Sequence, residues 1–307
     1  MEDKSLTYTP QHTQDTVSAL PSLPKELGTI AESSCWSFVK KHQLIIFFIL
    51  AYVITWGGWA ALLATKTISS CSTMCILYPG WGPTLAALIL TTLIGGRKGL
   101  KEFFLSLVKF RVGFQWYLLA LFSAVVVVHL SIAFVTLVFG GFTDTAFLPY
   151  WYTPFLAFFP AIAVHFLFSG LPEEPGWRGF ALPRLLTRHN ALVASLILGI
   201  FEALWHLPNY TILSPFSPML LAIFTLNILA VGIFRTWIFV NTKRSVFIAT
   251  LFHGAIDATG SIFLLGVGKN FAIVFITITI IFCILAIGLL AIYGPNLTRS
   301  KQKGEVI

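Results

Sequence analysis

A chain of 307 residues that is 57% apolar and only 10% charged, with a mean hydropathy of +0.85, is not a soluble globular domain, in which about a quarter of the residues are charged. Its net charge of +8 does not point to nucleic acid either, because the basic residues are spread between apolar runs instead of forming one patch. What remains is a polytopic membrane protein whose first partner is the lipid bilayer.

The first 34 residues are polar and rich in Ser, Thr and Pro, with no apolar core beside a basic start. They predict a disordered cytoplasmic tail, extending to residue 41, and not a secretory signal. Apolar runs near the roughly 20 residues needed to cross hydrocarbon follow at Leu44 to Ala64, Tyr78 to Ile94, Trp116 to Val138, Phe155 to Phe168, Ala191 to Leu207, Met219 to Val240, Val246 to Val267 and Phe271 to Tyr293. Only helices close their own backbone hydrogen bonds in lipid, and no run alternates like a barrel strand. The expected fold is therefore all-α, a polytopic transmembrane bundle of about eight helices.

Between the second and third runs, Gly95 to Gln115 carries Arg97, Lys98, Lys101 and Lys109 among Leu100, Phe103, Phe104, Leu107 and Phe110. This reads equally as a basic amphipathic helix on the inner leaflet or as a surface loop that sets topology. Cys71 and Cys75 share a short outer loop and are close enough in sequence to pair, whereas Cys35 and Cys283 read as unpaired. With eight spans, every Lys and Arg except Lys66 and Lys269 falls on the side of the two termini. That is the positive-inside pattern of cytoplasmic termini, and in a bacterium the membrane would be the plasma membrane. Arg235, near the end of its run, is expected to snorkel to the headgroups.

Glu173, Glu174, Glu202 and Asp257 lie in or beside apolar spans, as do His206 and His253. Membrane segments exclude such groups unless they pair or work. Glu174 and Arg178 are i,i+4 in the favourable order, which leaves Glu173 without an evident local partner and suited to act as a general base. Glu202 with His206, and His253 with Asp257, are also i,i+4, so in each pair a carboxylate can hold the imidazole tautomer. Glu173 stands 16 residues before His189 and His206 17 after it, so a reversal near Arg188 to Asn190 levels the two. Because a complete span over Phe155 to Phe168 would separate them, Gly170, Pro172, Pro175 and Gly176 predict a broken helix whose second half starts inside the protein. His129 and His165 read as packing or backbone-bonding histidines, and Trp177 and Trp205 as packing or interfacial aromatics.

Three segments in order, Glu173-Glu174-Pro175-Gly176-Trp177-Arg178-Gly179, Trp205-His206-Leu207-Pro208 and Phe252-His253-Gly254-Ala255-Ile256-Asp257, resemble the motifs of the CPBP intramembrane proteases. That family includes the type II CAAX prenyl endopeptidases and bacteriocin-immunity homologues. The resemblance covers about Phe155 to Val267 and divides the chain into a tail (1–41), N-terminal transmembrane helices (42–150), a catalytic membrane domain (151–268) and a last helix with its tail (269–307). It implies that Glu173 and His206 activate a water for attack on a peptide carbonyl, that Glu174 and Arg178 support the first glutamate, and that His253 with Asp257 stabilises the oxyanion. The implied substrate is a membrane-associated polypeptide, prenylated in a eukaryote or bacteriocin-like in a bacterium. Two positions depart from the pattern: Glu202 stands where an aromatic is usual, and Asp257 where Asn is usual. An ionised Asp257 cannot donate to an oxyanion and would have to be protonated or act by orienting His253.

No cofactor is required by this reading. His206, His253 and Glu173 are the candidate ligands for a divalent metal such as zinc, although no His-Glu-x-x-His segment is present. Two other readings stay open: a proton- or ion-coupled transporter using the same groups as a relay, and a non-catalytic immunity or scaffold member of the family.

Overall fold

The structure, a computed structural model, describes residues 36–65, 78–140, 153–213 and 215–298. The expectations for residues 1–35 of the N-terminal tail, Cys35 among them, for Cys71 and Cys75, and for the C-terminal residues from 299 fall outside the described residues, whereas residues 36–41, expected as the end of the disordered tail, are helical. Among those described, the regular elements are helices and none is a strand. They are α1 (Gln43–Ala64), α2 (Gly82–Leu107, entered through a 3-10 turn at Tyr78–Trp81), α3 (Phe114–Phe139), α4 (residues 153–185), α5 (Ala191–Trp205), α6 (Pro218–Asn241), α7 (Val246–Phe263) and α8 (Phe271–Tyr293).

Six helical stretches are long and apolar enough to cross a membrane, within α1, α3, α4, α6, α7 and α8. The chain is a multi-pass, all-α membrane protein. The other two helices are α5, which has 15 residues, and α2, which leaves helical geometry at Gly96, with φ 53° and ψ −147°, so that its apolar part is brief.

α4 is where the fold differs most from the apolar run that signals it. Hydropathy falls off after Phe168, yet helical turns continue to Leu185, because the polar residues beyond Phe168 face protein instead of lipid. The interruption expected at Gly170 to Gly176 takes the form of two π-helical turns, Phe166–Gly170 and Trp177–Ala181, flanking Leu171–Gly176, and not of a separated half-helix. In them the Leu171 N–H reaches the Phe166 carbonyl and the Leu182 N–H reaches the Trp177 carbonyl, one residue farther than in an α-helix. Pro175 has no N–H to give the Leu171 carbonyl. The Thr84 hydroxyl donates to that carbonyl instead, at 3.1 Å.

Two glycines let α4 lie against its neighbours. A Cβ on Gly176 would collide with the backbone of Pro83 in α2, and one on Gly254 in α7 would meet the Phe166 backbone of α4. At one end of the bundle the connections are tied together: Arg184 Nε donates to Gln43 Oε1 at 2.7 Å, Leu192 N–H to the Pro295 carbonyl at 2.9 Å, and Asn241 Nδ2 to the Leu297 carbonyl at 2.8 Å. The reversal expected near Arg188 to Asn190 is present there, and Asn190 caps α5 by accepting the Val193 N–H at 2.9 Å.

Candidate active site

Glu174 is the hub. Its side chain is wholly buried, and an isolated carboxylate there would carry a large desolvation cost. Three cations or donors offset that cost. Arg235 Nη1 lies 2.6 Å from Oε1, His253 Nδ1 donates to the same oxygen at 2.7 Å, and Arg178 Nε stands 3.3 Å from Oε2. The i,i+4 pairing of Glu174 with Arg178 read from the sequence is therefore present, within a larger set.

Arg178 turns its other face to α5. Nη1 bonds Glu202 Oε1, and Nη2 donates to Oε2 at 3.3 Å, a forked contact that suits guanidinium and carboxylate. This corrects the pairing expected from spacing. The Glu202 carboxylate holds Arg178, and His206 instead donates from Nδ1 to the backbone carbonyl of Glu202, at 2.8 Å. The tautomer is still fixed, since a carbonyl can only accept; in the neutral ring Nε2 then carries the lone pair. The reason for the correction is that His206 caps the C-terminus of α5, where unpaired carbonyls are available to it. Two further carbonyls of this segment are held by α1, Phe201 by the Tyr52 hydroxyl at 2.7 Å and Trp205 by the Trp56 indole at 3.0 Å.

Arg235 is a second correction. Six residues from the end of α6, it reads as a snorkelling side chain, but it is 8% exposed and directed to Glu174. The missed signal is charge balance: four acids stand in apolar segments, and Arg178 alone is too little to neutralise them.

The His253 ring is held on both sides. Nδ1 is on Glu174, while Nε2 is 3.3 Å from Ser169 Oγ and 3.5 Å from Asp257 Oδ2. The Ser169 hydroxyl itself donates to Asp257 Oδ2. Ser169 sits in the first π-helical turn of α4, and nothing in the local sequence marks it. Glu173 has a different setting. Its carboxylate meets Trp177, whose indole N–H lies 3.4 Å from Oε2. Trp177 is thus more than a packing aromatic, although its ring is fully buried between Phe47, Phe48 and Trp205.

Glu173, His206, His253 and Asp257 line one cavity of about 450 Å³, with Ser169, Glu202 and Arg235 also in its wall. Glu174 and Arg178 support that wall from behind. The rest of the lining is largely apolar, including Phe224, Phe271, Phe275 and Phe282. His206 is set among aromatic rings, edge-on to Trp205 and Phe224. His129 bonds its own helix at the Val125 carbonyl, 2.8 Å away, as a backbone-bonding histidine does, whereas His165 reaches the Ser261 hydroxyl of α7 at 3.1 Å and lines the cavity as well.

Among the described residues no three of His, Cys, Asp and Glu gather as a metal ligand set. The candidate trio of Glu173, His206 and His253 fits a metal poorly for a local reason: both ring nitrogens of His253 already face oxygen partners.

A family model described as type II CAAX prenyl endopeptidase Rce1-like matches residues 154–259, the stretch that holds every residue of this cluster. A protein of Methanococcus maripaludis named CAAX prenyl protease 2 is 26% identical over 227 residues, covering 71% of this chain and 83% of that protein.

Proposed function

We propose that this chain, which belongs to the CPBP family of intramembrane proteases and is an intramembrane endopeptidase, hydrolyses its substrate with a water held between Glu173 and His206. The observation that carries this reading is the shared cavity, whose wall holds the Glu173 carboxylate, the His206 and His253 imidazoles and Asp257 together.

Glu173 and Asp257 are the acids of the cluster without an arginine partner among the described residues, and Asp257 is engaged by His253 and Ser169, so the Glu173 carboxylate is the one free to take a proton. Trp177 donates to Oε2, which leaves Oε1 for the water. His206, with Nδ1 committed to the Glu202 carbonyl, directs Nε2 to the same water and fixes its lone pair. The water oxygen adds to the peptide carbonyl carbon as its proton passes to Glu173. In its doubly protonated form His253 keeps Nδ1–H on Glu174, and its Nε2–H, which makes only long contacts with Ser169 and Asp257 in the resting site, turns to the oxyanion as it forms. Glu173 then returns the proton to the leaving nitrogen, the C–N bond breaks, and a carboxylic acid, which keeps the water's second proton, and an amine are released. Positioned general-base catalysis is worth about 10²- to 10⁴-fold, and one oxyanion donor about 10²- to 10³-fold.

The substrate we infer is a membrane-associated polypeptide with a prenylated, CAAX-type C-terminal segment. Its support is the name of the archaeal relative together with the apolar wall formed by Phe224, Phe271, Phe275 and Phe282 beside the polar cluster, which offers an isoprenoid chain a dry surface. The test uses purified protein in lipid nanodiscs and a farnesylated CAAX peptide, with products read by mass spectrometry. Wild type should release the C-terminal tripeptide, and Glu173→Gln and His206→Ala should each lower the rate by at least about 10²-fold while inserting normally. Turnover retained in either variant rejects the mechanism. Cleavage of an unprenylated peptide at the same rate rejects the substrate class.

A further inference from the structure

The cytoplasmic-type basic end of the bundle carries a surface that the catalytic reading does not use. After Gly96, whose φ of 53° is a conformation that glycine adopts without a Cβ penalty, α2 resumes for residues 97–107. Phe103 turns inward, 6% exposed, and lies in van der Waals reach of Gly179 in α4. At helical spacing, Arg97, Lys101, Phe104 and Val108 share the opposite face, flanked by Lys98 and Leu105. Phe104, Leu105 and Val108 are 52%, 49% and 55% exposed, and the basic residues among them are exposed as well.

A second segment completes the patch. Lys109 Nζ donates to the Lys243 carbonyl at 3.4 Å, and Ser245 Oγ donates to the Lys109 carbonyl at 2.5 Å. These bonds join the α2–α3 connection to the α6–α7 turn. In that turn Lys243 and Arg244 both hold positive φ, 55° and 58°, an uncommon backbone for residues with a Cβ, and both are exposed. Among the described residues, Glu102 is the acid outside the buried cluster, so Arg97, Lys98, Lys101, Arg111, Lys243 and Arg244 face outward with little compensation.

A surface of interleaved cations and large apolar side chains needs an environment that supplies anions and hydrocarbon within a few ångströms of each other. Water supplies neither, and the bilayer core lacks the anions. We propose that this face is a binding surface for anionic phospholipid headgroups, with Phe104, Leu105 and Val108 dipping into the acyl boundary and the basic side chains on the phosphates. Charge complementarity selects acidic over zwitterionic lipid.

The experiment reconstitutes the full chain in nanodiscs of equimolar phosphatidylcholine and phosphatidylglycerol, exchanges it into detergent, and measures retained lipid by native mass spectrometry. Wild type should retain phosphatidylglycerol in excess, at about fivefold for each engaged basic residue. Arg97→Gln/Lys98→Gln/Lys101→Gln should lose at least tenfold of that excess, while Lys269→Gln, outside the patch, should leave it unchanged. Unaltered melting in detergent shows that the triple variant is folded. Equal retention in wild type and triple variant, or an equal loss with Lys269→Gln, overturns the proposal. So does a triple variant that changes only the oligomeric mass, since the face would then be a contact between copies. None of these readouts depends on proteolysis.

Discussion

Arg178 on α4 grips both carboxylate oxygens of Glu202 on α5, and four residues beyond Glu202 the His206 ring is fixed on the Glu202 backbone. One residue therefore ties the helix of the second motif to the helix of the first and also holds the imidazole that faces the cavity. Removing Glu202 leaves Arg178 buried with only part of its charge offset. Glu202→Ala should cost about 3–5 kcal/mol of stability, the usual penalty for breaking a buried pair, measured by thermal unfolding in detergent. Arg178→Met combined with Glu202→Leu should cost less than the sum of the single changes, because no lone charge remains.

Arg235 shares Glu174 Oε1 with His253. Arg235→Gln should lower kcat more than it raises KM, because the hub carboxylate loses one cation and the His253 ring loses its fixed partner geometry. Arg235→Lys keeps the charge and should recover part of the loss. Steady-state kinetics on the prenylated peptide separates the two effects.

Trp177→Phe keeps the ring between Phe47 and Phe48 but removes the N–H donated to Glu173. A hydrogen bond to a charged acceptor is worth about 1.5–3 kcal/mol, and this one is long at 3.4 Å. The expected result is about a tenfold fall in kcat/KM with a melting temperature close to wild type.

Asp257→Asn tests the less usual residue of the third motif. The amide oxygen can still accept the Ser169 hydroxyl, and the amide nitrogen adds a donor facing the cavity. Activity should stay within about 1 kcal/mol of wild type on the kcat/KM scale, whereas Asp257→Ala, which leaves Ser169 and His253 without their acceptor, should fall well below it.

Gly176→Ala places a methyl group into the Pro83 backbone. Neither helix can yield at a proline-flanked contact without moving the Glu173–Glu174 turn, so overpacking should cost about 1–3 kcal/mol and reduce activity as well. Parallel melting and rate measurements will show both losses together.

Much of this arrangement is legible in the sequence, and the parts that are not have a common cause. Apolar length gives α1, α3, α6 and α8 nearly to the residue, because lipid-facing helices carry their signal in hydropathy. It fails for α4, whose second half is polar on account of protein neighbours. The i,i+4 rule finds Glu174 with Arg178 because both lie on one helix. It misassigns Glu202, whose partner is 24 residues away on another helix, and it gives no hint of Ser169, 88 residues from Asp257. Local spacing reports what a helix can pair with itself; the contacts between helices that set the cavity depend on where glycines and prolines allow close approach.

The most direct test of the account is a comparison of polypeptide ends in membranes carrying wild type or Glu173→Gln, made by terminal-peptide proteomics at matched expression. A water activated by Glu173 predicts a set of new C-termini present with wild type and absent with the variant. The same ends appearing in both would contradict it.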